Sequence, residues 1–112
     1  MFNGSHIVIY TQDAQADRAF LRDVLGLKYI DAGDGWLIFG LPPAEIAFHP
    51  HDTSKSHSFY LMCDDLVATQ KMLTKAGVPT ADPVDEGWGI LSSMTLPGGG
   101  EIGFYQPRHA RP

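Results

Sequence analysis

Ser5-His6-Ile7-Val8-Ile9-Tyr10-Thr11-Gln12-Asp13 decides the fold, because the chain repeats it. Fifty-one positions on, Ser56-His57-Ser58-Phe59-Tyr60-Leu61-Met62-Cys63-Asp64 sets Ser56 on Ser5, His57 on His6 and Asp64 on Asp13, and the same offset sets Gly77 on Gly26. A second echo aligns Pro43-Ala44-Glu45-Ile46-Ala47-Phe48-His49-Pro50 with Gly99-Gly100-Glu101-Ile102-Gly103-Phe104-Tyr105-Gln106, with Glu45 on Glu101. A period near half the chain predicts two copies of one supersecondary unit, since a solenoid needs several shorter repeats.

Working outward, Ile7 to Tyr10 is a β-branched run that predicts a strand. Asp13 then caps a helix whose apolar positions Ala16, Phe20, Leu21, Val24 and Leu25 follow a 3.6 period, with Asp17, Arg18, Arg22 and Asp23 on the wet face. Gly26 stands where a left-handed C-terminal cap belongs. Strands are expected at Leu27 to Ile30, Trp36 to Phe39 and Glu45 to His49, with Gly33-Asp34-Gly35 as a hairpin turn. After a polar connection from His51 to Ser56 the pattern restarts. Ser58 to Cys63 reads as a strand, and Asp65 caps a helix with Leu66, Thr69, Met72, Leu73 and Ala76 on one face, ending at Gly77. A short strand at Val78-Pro79, a long one from Gly87 to Leu96, the Pro97-Gly98-Gly99-Gly100 turn and a last strand from Glu101 to Tyr105 complete the second unit. The fold class is α+β: two βαβββ units forming curved mixed sheets around a shared cavity, each with a helix on its outer face. Unit one spans about residues 4–50 and unit two about 56–106 of a single domain (1–112), with a short C-terminal tail.

The bulk numbers narrow the functions. A chain of 112 residues is one domain that buries roughly 60–70% of its extended-chain surface. A net charge of −5 argues against nucleic acid or an anionic membrane surface, both of which select clustered Lys and Arg. Arg108, His109 and Arg111 gather only at the end of the chain, as a solvated tail. One cysteine, Cys63, forms no internal disulfide, no signal segment is read before the first strand, and no apolar run reaches the ~20 residues of a bilayer span. A reducing cytoplasm is the expected setting.

Particular residues carry a likeness to a known family. His6 with Asp13, then Ala19-Phe20 and Asp23-Val24-Leu25-Gly26-Leu27, resembles the opening strand and helix of the vicinal-oxygen-chelate superfamily, the glyoxalase/bleomycin-resistance/extradiol-dioxygenase family. Asp64-Asp65-Leu66 leading to Lys75-Ala76-Gly77-Val78 resembles its second helix, and Leu96-Pro97-Gly98-Gly99-Gly100-Glu101-Ile102-Gly103-Phe104-Tyr105 its closing turn and strand. The resemblance covers residues 3 to 106 and implies the fold more than the function, because one scaffold hosts isomerases, dioxygenases, epimerases and drug-binding proteins.

In metal-dependent members of that family, four inward side chains hold a divalent ion such as Fe, Mn, Ni or Zn, which chelates two adjacent substrate oxygens. Carried over residue by residue, the first ligand falls on His6. The family's acid on the closing strand falls on Gly103, and its internal counterpart on Ala47; neither ligates anything. Glu101 and Glu45 lie two residues earlier on the same strand faces, displaced by roughly 6–7 Å. The remaining position is His57 by the internal repeat and Ser58 by counting back from Asp64-Asp65. Phe59, Leu61 and Cys63 make the better apolar surface for the second helix, so Ser58, Tyr60 and Met62 are expected to face the hollow, with His57 outward or at a bulge. His49 shares a strand face with Glu45 and Ala47 and is a cavity acid/base candidate, whereas His51 belongs to a loop. Trp36, Trp88 and Tyr105 are pocket-lining candidates, although large aromatics in a small domain are more often core. Cys63 reads as a small buried apolar residue.

Three functions stay open at this point. One is a protein that binds a small organic molecule in the cavity, with any catalysis resting on His6 paired with Glu101 or Glu45. Another is a metal-dependent isomerase, lyase or ring-cleaving dioxygenase with His6, Glu45, His57 and Glu101 as a ligand set in shifted register. The third is a non-catalytic drug- or metabolite-binding protein. The family resemblance and the unpaired sheet edges both imply a homodimer.

Overall fold

The structure, a computed structural model, describes residues 6–45, 47, 50, 52 and 57–110. Helix α1 (Ala14–Asp23) starts where the Asp13 carboxylate accepts the Ala16 N–H at 3.0 Å, and the chain leaves it through Gly26 at φ +65°. Helix α2 (Leu66–Lys75) repeats the device, with Asp65 accepting from Ala68 at 3.0 Å and Gly77 at φ +79°. Matching caps at matching offsets are the strongest structural trace of the doubled sequence.

Strands β1 (Tyr29–Asp31) and β2 (Leu37–Phe39) form a two-stranded antiparallel hairpin. Its turn runs through Gly33, Asp34 and Gly35, all at positive φ, and the Asp31 carboxylate accepts the Gly33 N–H at 2.8 Å. Strands β3 (Tyr60–Met62), β4 (Val84–Asp85), β5 (Gly89–Thr95) and β6 (Glu101–Pro107) make a four-stranded sheet in the order β3-β6-β5-β4, with β3 parallel to β6 and the other pairs antiparallel. Alternation along β5 and β6 sends Met94, Ile102 and Phe104 to the convex face. There they meet Leu66 and Leu73 of α2, together with Val78 and Leu96. Phe59, Leu61 and Cys63 pack on the same core, which leaves Ser58, Tyr60 and Met62 on the concave face.

Several expectations are corrected. Ile7 to Tyr10 is no strand: the segment is irregular and exposed, Tyr10 to 92%, because a strand forms only where a neighbouring backbone accepts its ladder. The helices do not take one sheet each; Phe20 of α1 belongs to the same core cluster as α2, with Leu21 and Leu25 packed beside it. Asp17 leaves the wet face and is buried, its Oδ1 accepting the Gly98 N–H at 2.8 Å across 81 residues of chain. Met72 goes the other way and is exposed, since the core stripe runs through Leu66 and Leu73.

The short strand expected at Val78-Pro79 appears at Val84–Asp85 instead. Val78 is core, Thr80 makes only an isolated bridge to Met94, and Pro79 and Pro83 cannot donate to a ladder. The strand expected at Glu45 to His49 is not seen at Glu45 or Ala47, and Ile46, Phe48, His49, His51 and residues 53–56 lie outside the described residues. In the first-half hairpin Tyr29, Ile30 and Trp36 are exposed, while Leu37 to Phe39 are half-buried. The Cα radius of gyration, 15.0 Å, exceeds the ~13 Å of a compact domain of this size. No helix among the described residues is long and apolar enough to cross a membrane.

Candidate functional site

The concave face of the four-stranded sheet bounds an open hollow of about 460 Å³. Its floor is set by strand alternation: Leu91 and Ser93 of β5, Glu101 and Gly103 of β6, and Ser58 and Tyr60 at the start of β3. His57 and Phe59 complete that end, and Ser92 reaches the lining although its hydroxyl donates to the Ala81 carbonyl at 2.7 Å. The opposite wall comes from the proline-rich run before and through β4, with Ala81, Asp82, Val84 and Glu86. This volume falls in the range of sites for drug-sized molecules.

One contact governs the floor. Tyr60 pairs with Gly103 in register, and its ring lies across that glycine. A Cβ on Gly103 would stand 3.2 Å from Tyr60 Cγ and nearer still to Cδ1 and Cε1. The position where the family's acid is expected is therefore filled by a ring. The same construction recurs at Gly89, where a Cβ would lie 3.1 Å from Tyr105 Cδ2 and 2.9 Å from the Gln106 carbonyl. The two tyrosines meet edge-on at 5.8 Å, and Trp88 meets Tyr105 edge-on at 5.5 Å. Tyr105 Oη hydrogen-bonds His109 Nε2 at 3.1 Å, folding the chain's end back onto this aromatic row.

The predicted site residues are only partly brought together. His57 and Glu101 line the same hollow, with Ser58 and Tyr60. His6 and Glu45 do not line it; His6 is exposed in the irregular segment and Glu45 is half-buried. Met62 shares the concave face, opposite Tyr105 in register, and Trp88 flanks the hollow through Tyr105. Trp36 belongs elsewhere, on the first-half hairpin, where the Arg18 guanidinium sits 4.7 Å from its ring centroid. His49 lies outside the described residues.

Asp82, Glu86, Leu91 and Ser93 were missed. Leu91 and Ser93 were legible in the alternation of β5, but Asp82 and Glu86 sit in the run between helix and strand that reads as a connection. Cys63 lies behind the site, its Sγ 3.6 Å from the Tyr105 carbonyl. Burial pushes its thiol up, aided by Asp64 and Asp65 and opposed by a hydrogen bond with Thr69. Such a thiol is a poor nucleophile.

Among the described residues, no group of three or more His, Cys, Asp or Glu side chains is placed to hold a metal ion. With Gly103 covered by a ring and Ala47 without a donor, the side chains of one described chain do not fit the family's ion.

A two-unit α+β sequence, twinned aspartate-capped helices and a concave sheet over an open hollow define a class. Residues 5–107 match the family model of the Glyoxalase/Bleomycin resistance protein/Dioxygenase superfamily, and the chain belongs to that superfamily. Among solved structures it is similar to TnmS3, an antibiotic binding protein from Streptomyces sp. CB03234, at TM-score 0.67 and 22% identity over 96% of this chain and 99% of that one. It is also similar to lactoylglutathione lyase from Agrobacterium tumefaciens, at TM-score 0.67 and 16% identity over 93% and 92% of the two chains. A glyoxylase/bleomycin resistance protein/dioxygenase domain from Frankia sp. EAN1pec gives TM-score 0.66 and 13% identity over 96% and 99%. These likenesses establish the fold alone. No curated protein matches the sequence.

Proposed function

We propose that this chain binds a small organic molecule in the hollow over β3, β6 and β5, without a metal, as a homodimer. The observation that carries this is the Tyr60 ring lying across Gly103, which puts an apolar surface where a chelating acid would stand. The likeness to an antibiotic binding protein supports the same reading. Dimerisation is supported by the exposed run Ile7, Val8, Ile9 and Tyr10 and by the bare β1-β2 hairpin, since an isolated two-stranded hairpin is marginal in water. Each hollow then takes strands from both copies, and any acid/base catalysis rests on Glu101 with His6 and Glu45 supplied to it.

A second reading draws on one observation, that His57 and Glu101 line the same hollow. On that reading His6 and Glu45 of a second copy complete a four-residue metal set.

The test is elemental analysis of untagged protein, with thermal shift against a library of small organic molecules on the same preparation. The expected result is no stoichiometric metal, and a ligand whose stabilisation is lost when Ser93→Trp fills the hollow. Stoichiometric Fe, Mn, Ni or Zn, lost in both His57→Ala and Glu101→Ala, would overturn the metal-free reading.

A further inference from the structure

We infer that the hollow selects an organic cation, a molecule with a protonated amine or guanidinium on an apolar or aromatic body, and that Asp82 and Glu86 set this preference. The inference rests on the proposed role of the hollow as a binding site and names the class of its ligand. Three carboxylates line the hollow: Asp82 and Glu86 on the β4 wall and Glu101 on the floor. Among the described residues, no Lys or Arg lines it. The two ion pairs among the described residues, Arg22–Asp23 and Arg108–Asp85, involve none of the three, so no cation of the described chain answers them. The chain as a whole carries −5, which adds to the sign of the local field.

Placement separates an organic cation from a metal ion. The three carboxylates share one hollow, yet among the described residues no three acidic, cysteine or histidine side chains converge closely enough to hold an ion. Charges spread around a rim of this size suit a charge carried on a larger body, reached by one or two carboxylates at a time. The rest of the lining suits that body. Leu91 and the half-exposed Tyr60 ring supply apolar contact, and a tyrosine ring also attracts a cation over its face. Ser58 and Ser93 add hydroxyls able to accept from an ammonium.

A carboxylate about 5 Å from an ammonium at an exposed site contributes little alone, but two or three acting together give roughly tenfold discrimination over a neutral analogue. The test uses matched probes on the 112-residue chain: naphthylmethylamine, naphthylmethanol and naphthoate, titrated at about pH 8 by protein NMR in about 0.02 M and 0.3 M salt. Naphthylmethylamine is expected to shift resonances of the hollow with roughly tenfold higher affinity than the alcohol. Naphthoate should be weakest, and the preference should shrink at high salt. In the Asp82→Asn/Glu86→Gln variant, changed at exposed positions outside the core, the ratio of amine to alcohol affinity should fall most of the way to one. Equal affinity for amine and alcohol, or an advantage untouched in the variant, overturns the charge selection while leaving a binding hollow in place. Silence of the hollow's resonances to all three probes overturns the binding role itself and the selection with it.

Discussion

Gly103→Ala tests the ring-over-glycine contact on which the metal-free reading stands. Its outcome should reverse sign with a second substitution. A methyl on Gly103 would overlap Cδ1 and Cε1 of Tyr60, so the ring must swing away. Tyr60 is 41% exposed, so it has room to move, but it leaves an edge-on partner, Tyr105, at 5.8 Å. Losing that contact costs about 0.5–1.5 kcal/mol, and an off-rotamer side chain about as much again. Against this, replacing glycine within a strand recovers about 0.5–1 kcal/mol of chain entropy. The net expectation is a loss of about 0.5–2 kcal/mol in the parent protein. In a Tyr60→Ala background the obstacle is gone, and the same substitution should stabilise by about 0.5–1 kcal/mol. The four proteins of this cycle are compared by urea denaturation, with the denaturant slope checked for constancy. A coupling below about 0.5 kcal/mol, within the additivity error of distant sites, would mean that the ring does not cover Gly103, and the position would again be open to a ligand.

Two further outcomes follow from buried groups. Asp17→Ala should cost about 1–3 kcal/mol by urea denaturation, because the Gly98 N–H loses its acceptor in a half-buried turn; Asp17→Asn, which keeps an acceptor, should cost less, and full stability in the alanine variant would refute the tether. Cys63 should label slowly with iodoacetamide in the folded protein at pH 8. Since its folded value is raised, its contribution to stability is complete below the unfolded thiol value near 8.5 and is lost as pH rises through the folded value. Cys63→Ser should flatten that alkaline decline, and rapid labelling of the native protein would contradict the burial.

Local signals in the sequence carried the elements whose causes are local. Asp13, Asp65, Gly26 and Gly77 mark helix ends through their own side chain or backbone freedom, and both helices lie where those signals put them. The concave set Ser58, Tyr60 and Met62 was legible because its alternates are all apolar, and a period of two leaves no third choice. What failed depended on distant partners. Ile7 to Tyr10 has strand composition, but composition does not supply a neighbour. Asp17 looks like any wet-face carboxylate until a turn 81 residues away brings it a donor. Asp82 and Glu86 were not legible because they flank a two-residue strand, Val84–Asp85, that two prolines delay.

The asymmetry between the halves follows from the same distinction. The second half closes on itself: among the described residues, seven of the eight buried apolar side chains lie between Leu66 and Phe104, and Phe20 of α1 is the eighth. Among the described residues, the first half repeats the sequence pattern without repeating the burial, and Ile7 to Tyr10, Tyr29, Ile30 and Trp36 stay exposed. Among the described residues, the first helix packs with the second sheet and leaves Tyr29, Ile30 and Trp36 of the first hairpin exposed. An isolated two-stranded hairpin is marginal in water, and in the proposed homodimer a second copy would bring the same exposed surface by symmetry. Two glycines, Gly89 and Gly103, are meanwhile overlaid by tyrosine rings, a device that restores contact where a strand lacks a side chain. Pairing of copies would therefore close a hollow already floored with rings, and the carboxylates around its rim would then act in a drier, lower-dielectric space than in one chain alone.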